Sequence, residues 1–214
     1  MPIVFEQREN SSISYAIWHI TESEEFFHSL LTLTTIDTTR INNYKQQQAR
    51  LEKWACRAIV AHLINNSKVK ISYTSKGKPL LLGQHLSFSH SHGLAAAAIA
   101  PYPIGIDIEK INPKIIPLHT KFMSPQEIED AKKNWNENNL TFYWCAKEAM
   151  YKLQEPLPYN LKEGLQVLSE NCGKIYYNDN ILTVNLQKTI FLNYQIVIAS
   201  NPSTQFSNNN IPLP

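Results

Sequence analysis

The chain has 214 residues, 43% of them hydrophobic and 18% charged, which supplies enough apolar material for a sizeable core and excludes wholesale disorder. A formal net charge of +2 without any Lys/Arg-rich run gives no footprint for nucleic acid. The longest small-apolar run, Leu94 to Ala100, is too short to span a bilayer, so no membrane partner is expected.

Met1 to Asn10 does not read as a signal peptide, and Cys56, Cys145 and Cys172 lack metal-ligand spacing, so reduced thiols and a cytoplasmic location are expected. Ile13 to Ile20 reads as an opening strand. A long helix is expected from Ile41 to Ile64, where Leu51, Trp54, Ala55, Ala58, Ile59 and Leu63 recur at helical spacing. Val69 to Tyr73 reads as a strand, followed by a turn at Gly77-Lys78-Pro79. Leu86 to Phe88, Leu94 to Ala100 and Ile104 to Ile108 read as strands of one sheet, with Ser89-His90-Ser91-His92-Gly93 as a loop between the first two. Ser124-Pro125-Gln126-Glu127 has the pattern of a capping box opening a helix. A second long helix is expected from about Asn139 to Leu153, stopped by Pro156 and Pro158. Strands then follow at Gln166 to Leu168, Lys174 to Tyr177, Ile181 to Leu186 and Phe191 to Ala199, before a frayed Asn/Ser/Pro-rich tail. This order points to two α+β lobes, residues 1–103 and 104–200, with a flexible tail at 201–214. Residue matching alone demonstrates no internal repeat.

Asp107 and Glu109 lie two apart in a strand end, so both carboxylates share a face while Ile106 and Ile108 point to the core. Two like charges side by side need solvent or a cation, and Gly105 permits close backbone approach beside them. A bare D-x-E is also compatible with an exposed strand edge. Glu148 shares a helix face with Trp144 and Lys152, in a stretch too apolar to be fully solvated. Three carboxylates without a nearby cysteine suit Mg²⁺ better than Zn²⁺. A zinc site on His85, His90 and His92 is the rival metal reading, but the other His and Asp signatures of zinc hydrolases are missing. The Ser-His segment, with its hydroxyls and freed amides, suits phosphate oxygens.

Four motifs occur in order: Gly77-Lys78-Pro79, Leu86-Ser87-Phe88-Ser89-His90-Ser91, Gly105-Ile106-Asp107-Ile108-Glu109, and Trp144-Cys145-Ala146-Lys147-Glu148-Ala149-Met150-Tyr151-Lys152. The set resembles the 4′-phosphopantetheinyl transferases, in particular the two-lobed surfactin-synthetase-activating type, over roughly residues 45–152. The resemblance implies two similar α+β lobes in pseudo-twofold arrangement, most simply a monomer. It implies a holo-acyl-carrier-protein-synthase type of reaction, in which the phosphopantetheine arm of coenzyme A moves to a serine of an apo acyl or peptidyl carrier protein and adenosine 3′,5′-bisphosphate leaves. By motif position, Asp107, Glu109 and Glu148 resemble the Mg²⁺ ligands, with Glu148 also counted in the catalytic set. Ser89, His90 and Lys78 resemble coenzyme A contacts, Arg50 a 3′-phosphate contact and Lys147 a further cofactor contact or a surface charge. Glu127, or a metal-bound water, is the implied general base, and Lys152 the residue stabilising transferred charge. Lys110, Lys114 and Lys121 are candidates for docking an acidic carrier. A Mg²⁺-dependent phosphoanhydride hydrolase and a non-catalytic carrier-binding protein are the alternatives.

Overall fold

The computed structural model describes residues 3–8, 12–154, 160–177 and 180–203. The proline stop at Pro156 and Pro158 and most of the tail, from 204 onward, lie outside the described residues. The chain opens with the antiparallel pair β1 (Ile3–Arg8) and β2 (Ser14–His19). β1 alternates half-buried and exposed positions, as suits the edge strand it is. Three helices follow: α1 (Glu24–Leu30), α2 (Thr35–Asn42) and α3 (Gln47–Leu63). The single helix expected across Ile41–Ile64 is thus two. Asn42 and Asn43 are poor helix formers, and the Arg50 guanidinium holds the carbonyls of Tyr44 (2.9 Å) and Lys45 (3.2 Å) in the break.

The first sheet is completed by β3 (Ile71–Tyr73), β4 (Pro79–Leu81), β5 (Gln84–Ser91) and β6 (Leu94–Ala100), in the order β1-β2-β6-β5-β4-β3. After β7 (Ile104–Lys110) come a 3₁₀ segment (Pro113–Lys121), α4 (Pro125–Ala131), α5 (Glu137–Gln154) and α6 (Leu161–Gly164). Strands β8 (Leu165–Ser169), β9 (Cys172–Tyr177), β10 (Asn180–Phe191) and β11 (Tyr194–Ser200) form the second sheet with β7, in the order β7-β11-β10-β9-β8. Both sheets are antiparallel throughout.

A repeat invisible at the level of residues is plain in the path. From β2 the chain runs strand, helix α3, then four strands that return to give β2-β6-β5-β4-β3; from β7 it runs strand, helix α5, then four strands that give β7-β11-β10-β9-β8. The fold is α+β in two similar halves. Ser89, His90 and Ser91 lie within strand β5, which corrects the loop expected there: the turn is His92–Gly93 alone, both at positive φ (46° and 84°). The equivalent turn in the second half is Leu192–Asn193, so the break expected between Leu186 and Phe191 falls after Phe191 instead.

Four layers stack in the order α3, first sheet, second sheet, α5. Ala95 and Ala97 on one face of β6 meet Trp54, Ala58 and Ile59 of α3. Ala96 and Ala98 on the other face join Tyr15, Ile17, Ile106, Ile108, Ile196 and Ile198 between the sheets. Small residues on both faces of β6 allow both neighbours to approach. α5 covers the outer face of the second sheet with Cys145, Ala149 and Met150 against Val197 and Ala199. It lies so close to β7 that a Cβ on Gly105 would stand 2.0 Å from the carbonyl oxygen of Ala149 and 2.8 Å from the amide of Leu153. No helix among the described residues is long and apolar enough to cross a membrane.

Candidate active site

The site is built where the two halves join. β7 is an edge strand of its sheet, so one row of its amides has no ladder partner. Three serines on one face of β5 supply the missing acceptors: Ser87 Oγ accepts from Ile106 N (3.0 Å), Ser89 Oγ from Ile108 N (3.2 Å) and Ser91 Oγ from Lys110 N (3.4 Å). Two of them pass their own protons to acids of β7. Ser89 donates to Asp107 Oδ1 at 2.8 Å and Ser91 to Glu109 Oε2 at 2.8 Å. Because that proton is committed to Glu109, His92 Nδ1, 2.9 Å from Ser91 Oγ, is the donor of its contact. Trp144 Nε1 donates to the other Glu109 oxygen, Oε1, at 3.4 Å.

α5 brings Lys152 and Glu148 to the same place. Lys152 Nζ donates to Asp107 Oδ1 (2.6 Å), Ser89 Oγ (3.0 Å) and the Ile106 carbonyl (3.1 Å). Burial alone would lower its pKa, but Asp107, and Glu148 after it, more than offset that and hold it above the ordinary lysine value. Glu109 and Glu148 are both raised, first by burial and then by the Asp107 charge. Glu148 has no hydrogen-bond or ion-pair partner among the described residues.

The fit of these acids to a divalent cation rests on two observations. Asp107 Oδ2 is buried with no hydrogen-bond partner, an arrangement that costs free energy unless something binds there. The donor set is all carboxylate, as a hard cation requires, and after burial the neighbouring Asp107 charge is what raises both glutamates. Among the described residues no three His, Cys, Asp or Glu side chains stand in finished ligand geometry, and Lys152 is bonded to Asp107 Oδ1. The zinc reading finds no support: His85 lies in β5, His90 faces α3 and His92 is in the turn.

Beside Lys152 opens a cavity of about 220 Å³ lined by Arg40, Lys53, Arg57, Lys78, Tyr73 and Phe88 among others. Arg57 is 1% exposed and bonds Asp37 Oδ1 (3.3 Å) and Tyr73 Oη (2.8 Å). Arg40 stacks 3.7 Å over the Tyr73 ring. Lys78 Nζ reaches the Leu153 carbonyl at 2.6 Å, near the C-terminus of α5. Among the described residues five cationic side chains and no acid line the cavity, and although Arg57 is paired with Asp37 and Lys152 with Asp107, this lining favours an anion.

The residues singled out from sequence therefore divide. Asp107, Glu109, Glu148, Lys152 and Ser89 converge, and Lys78 lines the adjoining cavity. His90 faces the opposite side of β5, between Glu52 (3.1 Å) and Lys53 (3.2 Å), with its pKa lowered by burial and Lys53. Arg50 is not among the cavity's lining residues; its guanidinium pairs with Glu24 at 2.9 Å. Glu127 and Lys147 bond each other at 2.8 Å, with side chains 1% and 0% exposed. Glu127 accepts in addition from Ser124 N (2.7 Å) and Val167 N (2.8 Å), completing the capping box and tying β8 to α4. Lys147 donates in addition to the carbonyls of Leu161 (3.1 Å) and Leu165 (2.8 Å). With every Lys147 donor and most of the Glu127 acceptor capacity used inside the protein, the pair ties β8, α4 and α5 together.

Sequence reading missed Arg40, Lys53 and Arg57 of the cavity, and it quoted Ser87 and Ser91 in a motif without their part in the serine row. The alternation Ser87, Ser89, Ser91 was a visible signal, since it places three hydroxyls on one strand face. Lys53 and Arg57 stand four apart on a helix that is otherwise buried, the same kind of signal that pointed to Glu148.

On the far side of Glu109 lies a larger cavity, about 500 Å³. Ile115, Leu118, Phe122 and Trp144 give it apolar walls, and Lys110, Lys114 and Lys121 line it too.

Residues 103–184 match the family model described as the 4′-phosphopantetheinyl transferase superfamily. The chain is 34% identical over 95 residues to the 4′-phosphopantetheinyl transferase ffp of Bacillus subtilis, an alignment covering 42% of each chain. It is 38% identical over 77 residues to another 4′-phosphopantetheinyl transferase of Bacillus subtilis, covering 35% of this chain and 34% of that one. To the 4′-phosphopantetheinyl transferase Sfp of Bacillus subtilis (strain 168) it is 29% identical over 141 residues, covering 61% of this chain and 63% of the relative. The chain thus spans less than two thirds of the length of each of these relatives. The matched stretch contains β7 and α5, which bear all three converging carboxylates, and over it the chain is similar to the 4′-phosphopantetheinyl transferase superfamily, with Sfp-like proteins among the relatives it matches in part.

Proposed function

We propose that this protein transfers the 4′-phosphopantetheine arm of coenzyme A to a serine hydroxyl of an apo acyl or peptidyl carrier protein. The observation that supports it most is the adjacency of an orphaned, buried Asp107 oxygen to a cavity ringed by cations. An acid cluster alone would serve many hydrolases; acids beside a polycationic cavity suit a substrate that is itself a polyphosphate. In this reading residues 1–103 supply most coenzyme A contacts, through Arg40, Lys53, Arg57 and Lys78, and residues 104–200 supply Asp107, Glu109 and Glu148. Those three carboxylates would hold Mg²⁺, which when bound neutralises charge on the pyrophosphate and on the departing bisphosphate.

The chain's own groups account for the remaining work. The carrier serine oxygen forms a bond to the β-phosphorus as the bond from that phosphorus to the bridging oxygen breaks, and adenosine 3′,5′-bisphosphate leaves with the electron pair. Lys152, charged and anchored on Asp107, stands at the mouth of the nucleotide cavity to meet the negative charge that develops. Glu148, lacking an internal partner, is the carboxylate with free lone pairs to accept the serine proton. Ser89 and Ser91 hold Asp107 and Glu109 in place. The carrier would approach from the other side, along the apolar groove whose walls include Lys110, Lys114 and Lys121, since carrier domains are acidic helical bundles.

The test is mass spectrometry of an apo carrier protein incubated with the full chain, coenzyme A and Mg²⁺. A mass gain equal to one phosphopantetheine arm is expected, with one adenosine 3′,5′-bisphosphate released per arm. Release of pantetheine phosphate to water without any carrier would instead establish a hydrolase, and binding of carrier without a mass gain would establish a non-catalytic binder.

A further inference from the structure

The two equivalent hairpin turns place a non-glycine residue at positive φ in their first central position, His92 at 46° and Leu192 at 53°. Tight two-residue hairpins favour Gly, Asn or Asp there, because a Cβ crowds the backbone in the left-handed region. His92 is compensated: its ring bonds Ser91 (2.9 Å), and its carbonyl accepts from Tyr194 Oη (3.0 Å). Leu192 carries an apolar side chain that can make no hydrogen bond like that of the His92 ring. It is also 80% exposed, so an apolar side chain stands in water at a backbone position that disfavours it.

The turn that carries it lies beside a groove. The Asn193 carbonyl accepts from Ile111 N at 2.8 Å, and Lys110 pairs across the sheet with Tyr194, so the turn abuts the strand end that enters the lysine-lined groove. His92, in the twin turn, lines that groove itself. Lys110, Lys114, Lys121 and His92 face it, and the one acid lining it, Glu109, is engaged by Ser91 and Trp144. Charge complementarity therefore selects an acidic partner, and the apolar floor selects one with an amphipathic helix.

We propose that Leu192 is an apolar anchor of the carrier-docking surface, so that the β10–β11 turn extends the groove to seat an acidic helical carrier protein; this rests on the transferase reading above. Anchors of this kind concentrate binding free energy in a few apolar side chains ringed by charge. The strained backbone gives an unusual test, because removing the side chain should relieve the fold while weakening the docking.

Steady-state loading of one acidic apo carrier domain would be compared for wild type, Leu192→Gly, Leu192→Asn and Leu192→Met, with melting temperatures measured alongside. The Gly and Asn variants are expected to melt no lower than wild type and to raise KM for the carrier at least tenfold. KM for coenzyme A and kcat should stay within twofold, and Leu192→Met should retain the wild-type carrier KM. An unchanged carrier KM in both Gly and Asn variants overturns the anchor while wild-type loading keeps the transferase reading. Failure of wild type to load any carrier overturns the transferase reading, and the anchor with it.

Discussion

Helix α5 carries two lysines five residues apart, each bonded to a buried carboxylate, and the two pairs differ in what is left over. Lys147 gives its three N–H donors to Glu127 and two carbonyls, and Glu127 takes two backbone amides besides. Lys152 likewise makes three hydrogen bonds, but its partner Asp107 keeps one buried oxygen without a donor, and Glu148 beside it makes no hydrogen bond among the described residues. A closed set of hydrogen bonds fixes an element in place. An open one stores affinity for something from outside. By sequence alone the two lysines look alike, and the resemblance gave Lys152 a part in catalysis while leaving Lys147 as a cofactor contact or a surface charge.

The largest effect that would test this contrast is catalytic. Glu148→Gln should lower carrier loading by on the order of 10²–10³-fold or more, whereas Glu127→Gln should leave the activity of the folded protein within about threefold. Equal losses in two folded variants, checked by circular dichroism and turnover, would erase the distinction.

Stability should invert that order. Lys147→Met strands the Glu127 carboxylate in the interior and is expected to cost about 3–5 kcal/mol in urea unfolding. Lys152→Met, whose side chain is 25% exposed in the structure, should cost markedly less. A larger cost at Lys152 would mean that its site is structural.

The smallest effect concerns pH and metal. Glu109 and Glu148 have folded pKa values above the ordinary 4.5, so the folded state binds protons more readily than the unfolded chain just above that pH. Their contribution is therefore most favourable below 4.5 and is lost as pH rises through the raised values. A divalent cation that binds the ionised acids offsets this loss at the alkaline side. Mg²⁺ at matched ionic strength should thus raise the melting temperature more at pH 7.5 than at pH 4.5. An increment independent of pH would separate these acids from any metal effect.

Much of the fold was legible because apolar periodicity is local. Leu94–Ala100 and the Ser124–Glu127 capping box stand as read, and β2 and α5 lie within a few residues of their expected bounds. The twofold path was not legible, since the two halves share topology and not residues. The break between α2 and α3 was missed because Arg50, a side chain from inside the next helix, holds it. For the site, strand and helix periodicity assigned Asp107, Glu109 and Glu148 to faces, but nothing local in the sequence reports that α5 lies on β7. The glycine at 105 was the nearest hint, and its meaning depends on Ala149, 44 positions along the chain. For Glu127 the sequence leaves two readings open, because a capping box and a general base leave the same trace, an acid at a fixed spacing, and the structure shows the capping box.

The serine row between β5 and β7 has a consequence for how this architecture tolerates change. Main-chain pairing between strands is indifferent to side-chain identity, so a slipped register still finds partners. Here the partners of β7 are hydroxyls present on alternate residues only, and a slip by one residue would offer its amides Leu86, Phe88 and His90. The join between the halves is therefore written in side chains, like a key cut for one position. An insertion or deletion within β5 or β7 would undo the acid cluster even where both sheets survived intact, whereas length changes on the far edges, around β3 or β8, leave that lock untouched.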